Sequence, residues 1–250
     1  MDTVPTLPHL DPLALELTSA IHGGDLPALR RLVTDQPGLA AARMIGRRGP
    51  AGGWRTPLHV ATDWPGYFPA APDAVALLVE AGADPDADTG GDRPETPLHW
   101  TASTDDVAVA VALVDAGAAL GTPGGSIGTP LDNAVGYGCW QVARLLVARG
   151  ATMDRLWQAA ALGMLSRLDE LLDGAPSPSA DDLNEAFWQA CHGGQRRAAE
   201  RLLAAGADPD AVPAYANGQS AVDAATAPDT GREALATWLR ERTTGPTQDG

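Results

Sequence analysis

The feature that most constrains this chain is a recurrence. RTPLHVA stands at 55–61, ETPLHWT at 95–101 and GTPLDNA at 128–134. Each leads into an apolar segment that ends on a small pair or its near copy: LLVEAGADPDA, ALVDAGAAL, RLLVARGATMD. FWQACHGGQRRAAERLLAAGADPDA repeats the design without TPL, and QSAVDAA repeats only its start. Counted from the leucine of TPL, equivalent anchors fall at Leu17, Leu58, Leu98, Leu131, Leu156, Phe187 and Val222. The steps scatter around a period of about 33 residues, which belongs to arrays of small stacked units.

The local chemistry says what each unit is. Thr56, Thr96 and Thr129 are placed to cap a helix with their hydroxyls. The proline that follows each occupies the first helical turn, where no donor is missed. QVARLLVARG carries apolar residues at helical spacing and stops at glycine, so it reads as the second helix of a pair. One such pair cannot bury its apolar face alone, so the units must stack.

These residues resemble the ankyrin repeat, whose T-P-L-H and G-A-D motifs are specific when they recur in register. The resemblance implies an all-α solenoid of about seven helix-turn-helix repeats with extended finger loops. The repeat domain is expected over 1–242, with a disordered tail at 243–250. In this family fingers and first helices form a groove that mostly takes a protein or peptide partner. The family's TPLH histidine bonds backbone of the adjacent turn, which gives His59 and His99 a scaffold role.

Composition narrows the partner. Seventeen basic against 32 acidic residues give a net charge of −15, which repels the phosphates of nucleic acid and of anionic membranes. All the basic residues are arginine, so lysine Schiff-base chemistry and a lysine phosphate loop are absent. No basic, apolar leader and no membrane-length apolar run stands out, and a cytoplasmic location is expected. Cys139 and Cys191 are then free thiols in a reducing compartment. No cofactor motif is present, and none is expected.

The departures from a plain stack mark the candidate site. The loop ARMIGRRGPAGGWR concentrates Arg43, Arg47, Arg48 and Arg55. It either grips a carboxylate or phosphate, or is a solvated loop, or pairs with the acidic finger GADPDADTGGD beside it. DWPGYFPAAP, between the helices of the second repeat, is several residues longer than the family's turn. Repeats 2–4 are therefore expected to be walled at both ends, closer to a pocket than to an open palm. Aligned on the family, the groove-facing helix ends are His22/Gly23, Asp63/Trp64, Ser103/Thr104, Gly136/Tyr137, Ala161/Leu162 and His192/Gly193.

Two function classes follow. The first is recognition of a protein or peptide. The second is a site for a small aromatic or anionic metabolite, either simple binding or cofactor-independent proton transfer by isomerisation, cyclisation or hydrolysis. For catalysis the candidates are Asp63, His59 and His99, with His59 four residues before Asp63 and placed to pair with it. For binding they are Arg47, Arg48, Trp54, Arg55, Trp64, Tyr67, Glu95, Trp100 and Tyr137, with His192 further along. Asn133, Gln158 and Gln189 fill one aligned slot and read either as a buried hydrogen-bond ladder between neighbouring helices or as a ligand-facing stripe. No metal site is expected. Cys191 and His192 are neighbours in FWQACHGG, but successive helical residues point about 100° apart, so they form no dyad.

Overall fold

The computed structural model describes residues 4–8, 10–46, 52–226 and 232–243. Its helices come in consecutive pairs: α1 Pro12–Gly23 and α2 Leu26–Asp35, α3 Pro57–Ala61 and α4 Ala71–Glu80, α5 Pro97–Thr104 and α6 Val107–Asp115, α7 Pro130–Gly136 and α8 Trp140–Ala148. The pairs continue with α9 Leu156–Leu162 and α10 Leu165–Leu172, α11 Ala180–His192 and α12 Arg196–Ala204, α13 Ala221–Ala225 and α14 Glu233–Arg240. The chain divides into two compact units, residues 1–152 and 153–250. Within the first unit, first helices pack on first helices (α1, α3, α5, α7) and second helices on second helices (α2, α4, α6, α8). The second unit builds the same two rows from α9, α11, α13 and from α10, α12. This is the all-α ankyrin-repeat fold that the motifs imply.

The caps act as the sequence requires. Thr56, Thr96 and Thr129 lead α3, α5 and α7 in extended conformation, each with a proline at the first helical position and a reciprocal capping box. Ser179 and Ser220 cap α11 and α13, each accepting the N–H of the aspartate three residues on. α11 therefore starts seven residues ahead of its anchor Phe187, an extension that no TPL motif announces. The leucines at the anchors are buried: Leu17, Leu58 and Leu98 are fully covered, as is Phe187.

One element lies outside the helical plan. The segments β1 Thr6–Pro8, β2 Arg43–Ile45 and β3 Trp54–Arg55 form a small sheet in the order β1-β2-β3. β2 runs parallel to β1, with Leu7 opposite Met44, and antiparallel to β3, with Met44 opposite Arg55. The Arg-bearing loop is thus structured at both its ends, and its last strand bonds onward: Trp54 N–H donates to the Thr89 carbonyl of the next finger. Arg47 and Arg48 lie outside the described residues, as does the tail from 244 onward.

Candidate functional site

The histidines are part of the frame. His59 Nδ1 faces the Thr56 N–H at 3.2 Å and its hydroxyl at 2.9 Å, while Nε2 meets the Glu95 carbonyl of the next repeat at 2.9 Å. A carbonyl only accepts, so the proton sits on Nε2 and Nδ1 is the acceptor. His99 repeats the arrangement on Thr96 and the Gly128 carbonyl. Both rings are completely buried. Burial, the largest influence, lowers the pKa of His59 to about 4 and that of His99 in the same direction. Neither ring has a nitrogen free to take a substrate proton without opening a helix cap.

The expected His59–Asp63 pair does not form. α3 ends at Ala61, so Asp63 is off the helix and the four-residue spacing no longer brings the two side chains together. Asp63 instead accepts from Arg55 Nη1 at 2.8 Å and from the Trp64 N–H at 2.9 Å. Arg55 therefore answers to Asp63 and not to the acidic finger, and Arg43 lies over the Trp54 ring at 4.3 Å. Among the described residues no three His, Cys, Asp or Glu side chains are grouped to hold a metal ion.

The insertion between α3 and α4 is fastened on both sides. Phe68 stacks on His22 with ring centroids 4.0 Å apart, and His22 Nε2 bonds the Val60 carbonyl. On the other side the Tyr67 N–H donates to Asp106 and its phenol donates to the Asp105 carbonyl, both at 2.7 Å. Tyr67 adopts a left-handed backbone (φ 56°), a conformation that these two bonds hold in place. Ahead of these fastenings, on the same insertion, Trp64 is 79% exposed. Tyr67 and Tyr137 are also exposed, at 64% and 51%. Tyr137 bonds Ser126 through its hydroxyl at 2.6 Å.

Around these side chains are two neighbouring hollows that share Glu95 and Trp100. The larger, about 370 Å³, is lined by Met44, Ile45, Trp54, Arg55, Thr89 and glycines 46, 52 and 53 besides the shared pair. The smaller, about 170 Å³, lies among Thr62, Asp63, Trp64, Ser103 and Thr104. The structure thus brings Trp54, Arg55, Asp63, Trp64, Glu95 and Trp100 together. Tyr137 lies outside both hollows. Trp100 stands edge-on to His59 at 4.9 Å, and its buried indole N–H has no hydrogen-bond partner among the described residues.

The three amides are buried and bonded close to home. Asn133 accepts the Ile127 N–H and donates to Glu95. Gln158 accepts the Arg155 N–H at the start of α9, and Gln189 donates to the Tyr215 hydroxyl. The slot is buried, but these bonds go to finger and cap groups and not to the amides of neighbouring helices, so they do not form the expected ladder. His192 is half-buried beside Gln189, within 3.4 Å of its oxygen. The two thiols are free and buried, and desolvation pushes Cys191 up to about 12 and Cys139 up to about 11, which keeps both protonated.

Sequence reasoning passed over a further hollow, in the 153–250 unit. Asp181, Asn184, Glu185 and the finger segment 211–215 enclose about 400 Å³. Glu185 shares a hydrogen bond with Tyr215, and burial first, then Asp182, raises its pKa. The signal was faint: a single tyrosine in AVPAYANG, where the fingers DADTGGDRPE and GTPGGSIG have none.

Comparison with known proteins agrees with this architecture. The family model for the ankyrin repeat matches residues 54–90, the segment that holds β3, α3, the insertion and α4. The ankyrin repeat domain of human ASB11 is similar in structure, with a TM-score of 0.52 and 21% identity over 92% of this chain and 98% of that one. The ankyrin repeat domain of Bcl-3, described as a unique member of the IkappaB protein family, aligns at a TM-score of 0.46 and 23% identity over 84% and 92%. No curated protein sequence matches the chain. The chain has the ankyrin-repeat fold.

Proposed function

We propose that the chain is a recognition module that holds a peptide segment of a protein partner along the ends of α3, α5 and α7. The observation that supports it most is Trp64, a large aromatic exposed to solvent on a loop fastened by Phe68–His22 and by Tyr67–Asp105/Asp106. Exposed tryptophan and tyrosine are the usual energetic centres of interfaces. A rigid seat spares the ordering cost that a mobile loop would incur on binding. The side chains that line this row fit a peptide: Asp63, Ser103 and Thr104 are at hand for backbone and polar groups, and Tyr137 extends the apolar contact. A partner without strong negative charge suits a surface with net charge −15. On this reading His59 and His99 serve the frame, and nucleic acid is not the partner.

Selection of peptides from a displayed random library tests this. Peptides enriched on the wild-type protein are expected to lose affinity at least about tenfold on Trp64→Ala, the range of an interface hot spot. Arg30→Ala on the row of second helices is expected to leave their affinity unchanged. Equal affinity for wild type and Trp64→Ala would rule the reading out.

A further inference from the structure

The larger hollow beside the sheet has features that peptide recognition does not use. It is made by residues that a plain repeat stack lacks: Met44 and Ile45 of β2 with Trp54 and Arg55 of β3, set against Thr89, Glu95 and Trp100. Its volume of about 370 Å³ falls within the range of small-molecule sites. Two tryptophans give it an apolar lining, and the Trp54 ring is pinned, with the Arg43 guanidinium over it and its edge against Gly90. Gly90 has φ +64°, and a Cβ there would lie 2.4 Å from the ring, so glycine is required for this seat.

The lining also carries one charge of each sign. Arg55 uses Nη1 for Asp63, and its other guanidinium donors have no partner among the described residues. Among the described residues Glu95 accepts the Ser126 N–H and the Asn133 amide on Oε1 alone, which leaves Oε2 for a donor. A hollow with an apolar lining, a planar donor fork and a carboxylate calls for a ligand with matching parts.

We propose that this hollow binds a small zwitterion of the α-amino-acid type with an apolar side chain. Its carboxylate meets the Arg55 guanidinium, its ammonium meets Glu95 Oε2, and its side chain lies against Trp54 and Trp100. The hollow adjoins the exposed aromatic row and shares Glu95 and Trp100 with the smaller hollow there. Trp64 does not line it, so loss of peptide binding on Trp64→Ala and loss of amino-acid binding on Arg55→Gln are read independently.

Calorimetric titration with L-phenylalanine, phenylacetate and phenylethylamine is the test. L-Phenylalanine is expected to bind at least about tenfold more tightly than either analogue, since each lacks one charge-assisted contact. Arg55→Gln removes the advantage over phenylethylamine, and Glu95→Gln removes the advantage over phenylacetate while retaining an acceptor for the Ser126 N–H. Asp63→Asn frees Arg55 from its ion pair and tightens L-phenylalanine, a gain that a merely damaged fold does not produce. The proposal is overturned if L-phenylalanine does not bind at millimolar concentration, if one analogue binds as well as it does, or if the preferences survive both charge-removing variants.

Discussion

The two units treat the ends of their first helices in opposite ways. In the 1–152 unit those ends carry Asp63/Trp64, Ser103/Thr104 and Gly136/Tyr137, and an insertion lifts Trp64 and Tyr67 into solvent. In the 153–250 unit the aligned Ala161 and Leu162 are buried, and Gly193 meets the Ala161 carbonyl so closely that a Cβ there would lie 2.0 Å from the oxygen. One row offers side chains, and the other is zipped shut. The same repeat can therefore supply a surface or a packed stack, according to the residues at two slots.

A second difference runs through the bond that joins neighbouring repeats. In the first unit imidazole makes it, from His59 to the Glu95 carbonyl and from His99 to Gly128. In the second, the Trp188 indole N–H makes the same bond, to the Gln219 carbonyl at 2.9 Å. Imidazole has a second nitrogen that caps its own helix. Indole has none, and in the second unit serine–aspartate boxes at Ser179 and Ser220 do the capping.

The largest effect expected from this contrast is that of His59→Leu, which strips partners from the buried Thr56 N–H and the Glu95 carbonyl. At 1–3 kcal/mol for each stranded group, urea denaturation should register a loss of about 4 kcal/mol in the transition of the first unit. Acid comes next. The unfolded histidine takes up its proton near pH 6.5, whereas folded His59 stays neutral down to about pH 4. Stability falls as pH drops through that window and levels off below it, by about 3 kcal/mol for this group. His99 and His192 are lowered too and act in the same direction. Denaturation midpoints from pH 7 to pH 4 follow the loss, and His59→Leu should flatten the slope. Gly193→Ala is smaller, at about 2 kcal/mol from overpacking against backbone. Its melting curve tests whether the second row is closed, because a neutral result would mean that the α9 and α11 ends part easily.

How much of this was legible depended on the range of the interaction. The TPL caps and the scaffold histidines could be read because each involves residues three apart or one repeat apart, and the motif recurs. The sheet could not: its strands are two and three residues long, and β1 pairs with a segment 37 residues away. The His59–Asp63 pair was expected on helical spacing and failed where the helix stopped at Ala61. The Arg55–Asp63 ion pair and the Tyr67 bonds to Asp105 and Asp106 depend on how an insertion folds back on its neighbours. No local pattern encodes that.

The central claim, that the 1–152 unit presents the recognition surface and the other unit does not, is tested most directly by hydrogen exchange with a selected peptide bound. Protection is predicted over 62–67, 103–106 and 126–137, with no change across 156–193. Protection centred instead on 181–189 and 211–215, around Glu185 and Tyr215, would contradict the account.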